Sequence, residues 1–394
     1  MRPPSAARAS LDAIRRLCDD LRHVRLQCAN RPGIPLPATP APPLIALFLA
    51  LWLACLPLPA GAAGEALFEA EVEVADTSAA VRSEGIVAAF AGVLTKVTGR
   101  TDPQAFAAWP RLRQAADSLL VEYRYRSEVA AAGSDPLASR RTLLTVRFDR
   151  QGVEALMRAE QLPVWGDTRP ATLLLVAVEQ GANRYIYTPD ALPAAAAAIT
   201  AASDRRGIPL LEPLMDLEDR TTLTFTEVWA GFPETIERIR ARYGPDAVLV
   251  ARLFNEAAGA WRAQWTLHLG REREAWTSRG PLAVALEGGL SELADRLARR
   301  YVPDTGSGEQ RLRLAVVGIA SPADYARTLD FLAGLSAVSD LRPVLAGRDS
   351  LELELVTDVA PESLLRTIAL GGMLVPVVDP GQPLGALPLF RLRP

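Results

Sequence analysis

The densest group of side chains able to do chemistry is Asp216, Glu218 and Asp219, with Glu212 and Glu227 close by in the chain. Two carboxylates held at different protonation can act as acid and base at a glycosidic bond, and three can hold a hard cation through oxygen. In extended backbone Asp216 and Glu218 share a side. Leu214, Met215 and Leu217 interleave with them and Arg220 follows, which is also the pattern of a solvated loop edge. A carboxylate-dependent hydrolase would centre here.

Other reactive types are scarce. His23 and His268 are the only histidines, and a zincin needs two on one helix. Residues 261–269 read as a strand with Trp261, Ala263, Trp265, Leu267 and Leu269 on one face. Arg262, Gln264, Thr266 and His268 share the other, so a solvated or hydrogen-bonded histidine is expected there rather than a triad base. Lys96 is the single lysine in a chain whose Lys and Arg total 43. Thr95 precedes it and Val97 follows, so no phosphate-cradling Gly-Lys-Ser/Thr loop exists. Lys96 is either a compact charge that an arginine fork cannot replace or a cation in the last turn of a helix, where the dipole favours it. Trp229, Trp261, Trp265 and Trp276 could stack on sugar rings, although a tryptophan-rich sheet face is the usual mark of a core. No cofactor or metal is implied. Lys96, Trp229, Trp261 and Trp265 remain as interaction candidates.

The elements that position these residues alternate between the two periodicities. Phe68, Ala70, Val72 and Val74 alternate with glutamates as a half-buried strand. Asp76-Thr77-Ser78 then offers N-cap chemistry to a helix bearing Ile86, Phe90, Val93, Leu94 and Val97 on one stripe, stopped by Gly99. A second helix is expected over 103–119, strands over 121–128 and 141–148, and a helix over 152–161. A boundary follows near 165–170. The next segment opens with an apolar run, 172–178, of the kind covered on both faces. Helices over 189–203 and 233–243, strands over 246–253, 261–269 and 271–278, and a helix over 281–301 come after it. This order looks like that of small periplasmic domains that regulate wall synthesis or secretion, an analogy of fold alone. Pro303-Asp304-Thr305-Gly306-Ser307-Gly308 reads as a linker. Beyond it the order βαββαβ (312–317, 322–335, 341–345, 351–356, 362–370, 373–378) is that of a ferredoxin-like domain. The expected class is therefore α+β or mixed α/β, with three small domains in series: 65–168, 169–302 and, past a linker at 303–310, the ferredoxin-like 311–394.

The stretch 71–100, EVEVADTSAAVRSEGIVAAFAGVLTKVTGR, resembles the opening of a family of uncharacterised proteobacterial envelope proteins, domain of unknown function 2066. The resemblance continues through Leu162-Pro163-Val164-Trp165 and the segment 211–219, LEPLMDLED. It implies an exported protein without an established activity and carries over no catalytic residue.

Composition points the same way. The run 44–56, LIALFLALWLACL, is closed by Pro57 and Pro59 and followed by Ala60-Gly61-Ala62, a small-x-small pattern suited to signal cleavage. A membrane span needs about 20 apolar residues, so a cleaved signal is expected, with an uncleaved anchor at Leu44–Leu56 as the alternative. Cys18, Cys28 and Cys55 all lie in residues 1–64, and the 330 that follow carry no disulfide, thiolate or Cys-based metal site. Cys55 as a lipidation cysteine is disfavoured by Trp52 and by the apolar run continuing past it. Residues 1–64 hold seven Arg against three Asp, so a whole-chain charge of −3 leaves −7 on the remainder, which argues against nucleic acid. Residues 1–40 form a long Arg- and Pro-rich lead, and with no methionine between Met1 and Met157 a later, non-Met start near Val24 would give a conventional signal. The expectation is an exported, periplasmic protein that binds another envelope protein as an adaptor or assembly factor. The alternatives are an envelope-glycan hydrolase and a binder of a small envelope ligand in an interdomain cleft.

Overall fold

The computed structural model describes residues 62–129, 140–256, 259–302, 305–377 and 387–393. Three sheets organise them within one compact unit, Ala60–Pro394.

In the first sheet β1 (Glu69–Val74) and β2 (Leu120–Val129) flank β3 (Arg140–Phe148), all antiparallel. One face is covered by α1 (Ala79–Thr98), which buries Ile86, Phe90, Val93, Leu94 and Val97, the stripe its 3.6-residue period predicts. Gly99 ends α1 at φ +72° and donates its N–H to Thr95 O. A Cβ there would meet Ala298 at 2.6 Å, so the position needs glycine twice over. The expected helix over 103–119 is instead the short α2 (Trp109–Ala115) between 3-10 turns at Pro103–Ala105 and Ala116–Leu119. Pro110 is the reason: it has no N–H to give and its ring excludes a preceding helical turn. The helix α3 (Arg150–Ala159) closes this core with Val153 and Met157.

The second sheet runs β5 (Asn183–Ile186), β4 (Thr172–Gln180), β7 (Ala247–Asn255), β8 (Trp261–Leu269), β9 (Glu272–Gly280), with β6 (Leu210–Leu211) paired to the start of β4. β4 and β7 are parallel, and β7, β8 and β9 form an antiparallel meander. Both faces are covered, as the apolar run predicts. Leu174, Val176 and Val178 point to α4 (Pro193–Arg206) and α8 (Leu282–Tyr301). Leu173, Leu175 and Ala177 point to a second core shared with α6 (Phe225–Ala230) and α7 (Pro233–Tyr243). β5 escaped the sequence because it is short and its residues are half exposed or exposed; α5 (Leu217–Thr222) and α6 escaped because each is six residues long.

The third sheet has the order β11 (Val338–Ala346), β12 (Ser350–Val359), β10 (Thr305–Val317), β14 (Leu389–Leu392), β13 (Leu374–Pro376), and carries α9 (Pro322–Ala333) and α10 (Pro361–Leu370). β14 departs from the βαββαβ pattern. It lies parallel to β10 and between β10 and β13, burying Phe390 and Leu392 and leaving β13 at the edge. The linker expected over 303–310 also differs: Thr305 pairs with Val359, so β10 begins there and crosses a register shift before Gln310, while 303 and 304 lie outside the described residues. Among the described residues no helix is long and apolar enough to cross a membrane. The run 44–56 and Ala60 lie outside them, and Ala62 opens the first described helical turn.

Candidate functional site

The face of the first sheet away from α1 is a lattice of opposite charges. Arg124 pairs with Glu69 at 2.7 Å, Arg126 with Glu71 at 3.0 Å, and Arg147 with Glu122. The strict alternation of β1 places its glutamates here, opposite the arginines of β2. This face forms one wall of a cleft of about 930 Å³. The other wall is the end of α4 and the turn Gly207-Ile208-Pro209, with Arg150 and Asp167, paired at 2.5 Å, at the junction.

Lys96 lies in this cleft and is 8 % exposed. Its ammonium does not serve the end of its own helix. It reaches back to the turn before β1, donating to Glu69 O at 2.6 Å and Ala66 O at 3.2 Å. Burial pulls its pKa below the usual lysine value, with Asp204 and Glu69 opposing. Beside it stands Arg169, which donates to five carbonyls: Gly166, Trp165, Lys96, Arg206 and Gly207. The C-terminal ends of α1 and α4 converge on this guanidinium, so two helix dipoles present their negative poles to one cation. Trp165 stacks on it at 4.3 Å, and burial, with repulsion from Arg206 and opposed by Asp167, lowers its pKa to about 9. Arg206 completes the junction, donating to Gly99 O at 2.8 Å and to Asp295 at 2.5 Å. Neither Arg169 nor Arg206 stands out in the sequence. Arg206 ends a helix just before Gly207, where carbonyls are open, whereas Arg169 lies in the coil before Pro170 and meets those carbonyls only through the fold.

The acid group is brought together, but around an arginine. Arg242, on α7, lies 2.5 Å from Asp216, 2.8 Å from Asp219 and 3.2 Å from Glu218. Asp216 caps α5 by accepting from Asp219 N–H, and its hydrogen bond to Arg242 holds its carboxyl below the usual range. Asp219 is fully buried; it accepts from Tyr243 O–H at 2.6 Å and from Met215 N–H at 2.9 Å. Glu227 serves a capping box with Thr224, and Glu212 lies 3.4 Å from the Tyr187 hydroxyl, its pKa raised by burial. Among the described residues no group of three His, Cys, Asp or Glu side chains is placed to hold a metal ion.

The tryptophans divide between the two central cores. Trp261 and Trp265 are buried; Trp265 fills the space beside Gly289 and donates to Ser278 Oγ, with Trp276 stacked at 6.3 Å. Trp229 lies between Phe225 at 4.9 Å and Phe254 at 4.8 Å on the opposite face. Of the two expectations for His268, solvated or hydrogen-bonded, the solvated one is not met: Arg240 of α7 crosses the end of β8, reaching His268 O, and the residue is 8 % exposed. Burial, with Arg273 and Arg240 adding repulsion, lowers its pKa to about 4, so it is neutral at pH 7.

Residues 62–166 match the model of a family described as a domain of unknown function (DUF8605). The match runs from the turn before β1, through the charged sheet and Lys96, to the junction at Trp165 and Gly166. It agrees with an uncharacterised family as the sequence suggested, under a different number. No curated protein matches the chain.

Proposed function

We propose that this is an exported cell-envelope protein that works by binding, as an adaptor or assembly factor, built from three α+β modules in series whose last is a ferredoxin-like order extended by one strand. The resemblance to envelope family 2066 and the signal-like run 44–56 support the location, periplasmic or held at the inner membrane by that run. The observation that carries the binding reading is the cleft between the charged sheet and the end of α4. Its cations Arg124, Arg126, Arg147, Arg150, Lys96 and Arg169 all have protein partners. The half-exposed ion pairs of Arg124, Arg126, Arg147 and Arg150 suit recognition of a polar or zwitterionic partner segment, because each pair is worth little and can be traded for a contact with the ligand, while Lys96 and Arg169 stay buried.

In-cell crosslinking of a C-terminally tagged chain, with mass spectrometry of captured proteins and of the mature N-terminus, tests this. One reproducible envelope partner and processing near Ala60 or Ala62 is the expected result. A processed protein that captures nothing at any crosslinker length would sink the adaptor reading. It would bring forward the hydrolase reading at Asp216, Glu218 and Asp219, tested by glycan cleavage in Asp216→Ala and Glu218→Ala, or a small-ligand binder, tested by thermal shift with wall fragments.

A further inference from the structure

Leu214 is 75 % exposed and Leu217 is 81 % exposed, above every other large apolar side chain among the described residues. One exposed leucine needs no account. Two, three residues apart on a fixed loop, do. Leu214 N–H donates to Tyr243 Oη at 2.9 Å, and Met215 N–H donates to buried Asp219. Arg220 Nε donates to Met215 O at 2.8 Å. Met215, between the leucines, is held at φ +53°, the left-handed region that a residue with a side chain enters only under constraint. The Asp219–Tyr243–Arg242 network therefore holds a strained backbone in one shape, and what that shape presents to solvent is apolar.

We infer that the segment 211–218, from the end of β6 to the first turn of α5, is a docking surface for a partner protein presenting an apolar pocket rimmed by lysine or arginine. This rests on the adaptor reading and adds to the cleft a second surface, with the chemistry of the part of the partner that meets it. A loop ordered before binding loses little entropy on association, so two leucine anchors convert efficiently into affinity. The charge around them sets the rim. With Asp219 buried beneath them, Glu212, Asp216 and Glu218 stand against Arg220 and Arg242, and the outermost carboxylates, Glu218 and Asp216, have side chains 72 % and 48 % exposed. That excess of negative charge repels an anionic lipid surface and attracts a basic protein rim.

The test places a photocrosslinking residue at 214 or 217 in the full chain, with position 344 on β11 as an exposed control. The expected result is capture of the partner taken by the tagged chain, from 214 and 217 but not from 344. The partner's crosslinked peptide should combine apolar residues with Lys or Arg. In Leu214→Ser/Leu217→Ser, capture by the tagged chain should fall about tenfold or more, and it should weaken as salt is raised. If the tagged chain still captures its partner equally in that variant, the adaptor reading stands and the docking surface is wrong. If nothing is captured by any route, both fail together. Leucine-dependent binding of the purified protein to vesicles of phosphatidylethanolamine with phosphatidylglycerol would overturn the proposal in favour of lipid. Should the double variant melt below the parent, Leu217→Glu at the most exposed position carries the same readout.

Discussion

Arginine is the organising cation at two places, and it meets opposite surroundings. At the junction Arg169 is buried among five backbone carbonyls, with no carboxylate hydrogen-bonded to it among the described residues. At the acid loop Arg242 faces three carboxylates, two of them largely in solvent. The first arrangement joins elements far apart in the chain: α1, the 165–169 stretch and α4. The second fixes one loop. Burial, rather than the number of formal charges, decides which matters for the fold, because a buried donor removed leaves acceptors that water cannot easily reach, whereas an exposed pair is replaced by water.

Five variants break or sharpen that contrast. Arg169→Ala should cost the most, about 4 kcal/mol in urea denaturation, because five carbonyls lose a donor at once. Arg169→Lys should recover little of it, since an ammonium cannot reproduce the fork. Asp219→Asn should cost about 3 kcal/mol, since it is the one fully buried member of its loop, and equal costs at Asp216 would erase the distinction drawn above. His268 supplies a pH arm. It titrates near 4 in the fold against about 6.5 unfolded, so between those values the unfolded chain binds the extra proton and stability falls as pH drops. The loss should be about 3 kcal/mol, complete below pH 4, and absent from His268→Gln in denaturation at pH 7, 5 and 4. Smallest of all, Arg124→Ala on the open sheet face should cost below about 1 kcal/mol. A loss above about 2 kcal/mol there would make the cleft wall a structural device rather than an exchangeable surface.

The sequence made the periodic elements legible. The α1 stripe, the alternation of β1 and the two-sided burial of β4 each follow from side-chain spacing, and so do the caps at Gly99 and Ser321. Most departures are short elements. α5, α6, β5 and β14 are too short to show a period, although local caps, Asp216 for α5 and the Thr224–Glu227 box for α6, mark the two helix starts. The same holds at the sites. The acid cluster was visible as a run of letters, but Arg242 and Tyr243, which give it its geometry, come from a helix more than 20 residues on. Lys96 was visible for its rarity, while its acceptors, the carbonyls of Ala66 and Glu69, are backbone atoms that no side-chain pattern marks. The junction was hidden for that reason too, since Arg169 binds carbonyls that any residue would supply.

The placement of β14 carries a consequence for how the chain acquires its shape. Until residues 389–392 arrive, β10 presents an unpaired edge on the side that β14 will fill, and β13 has no neighbour to pair with. A chain made amino-end first would thus keep its third sheet open until β14 had been added. The core residues Phe390 and Leu392 arrive with that strand, so the sheet gains its last pairing and part of its core in one step.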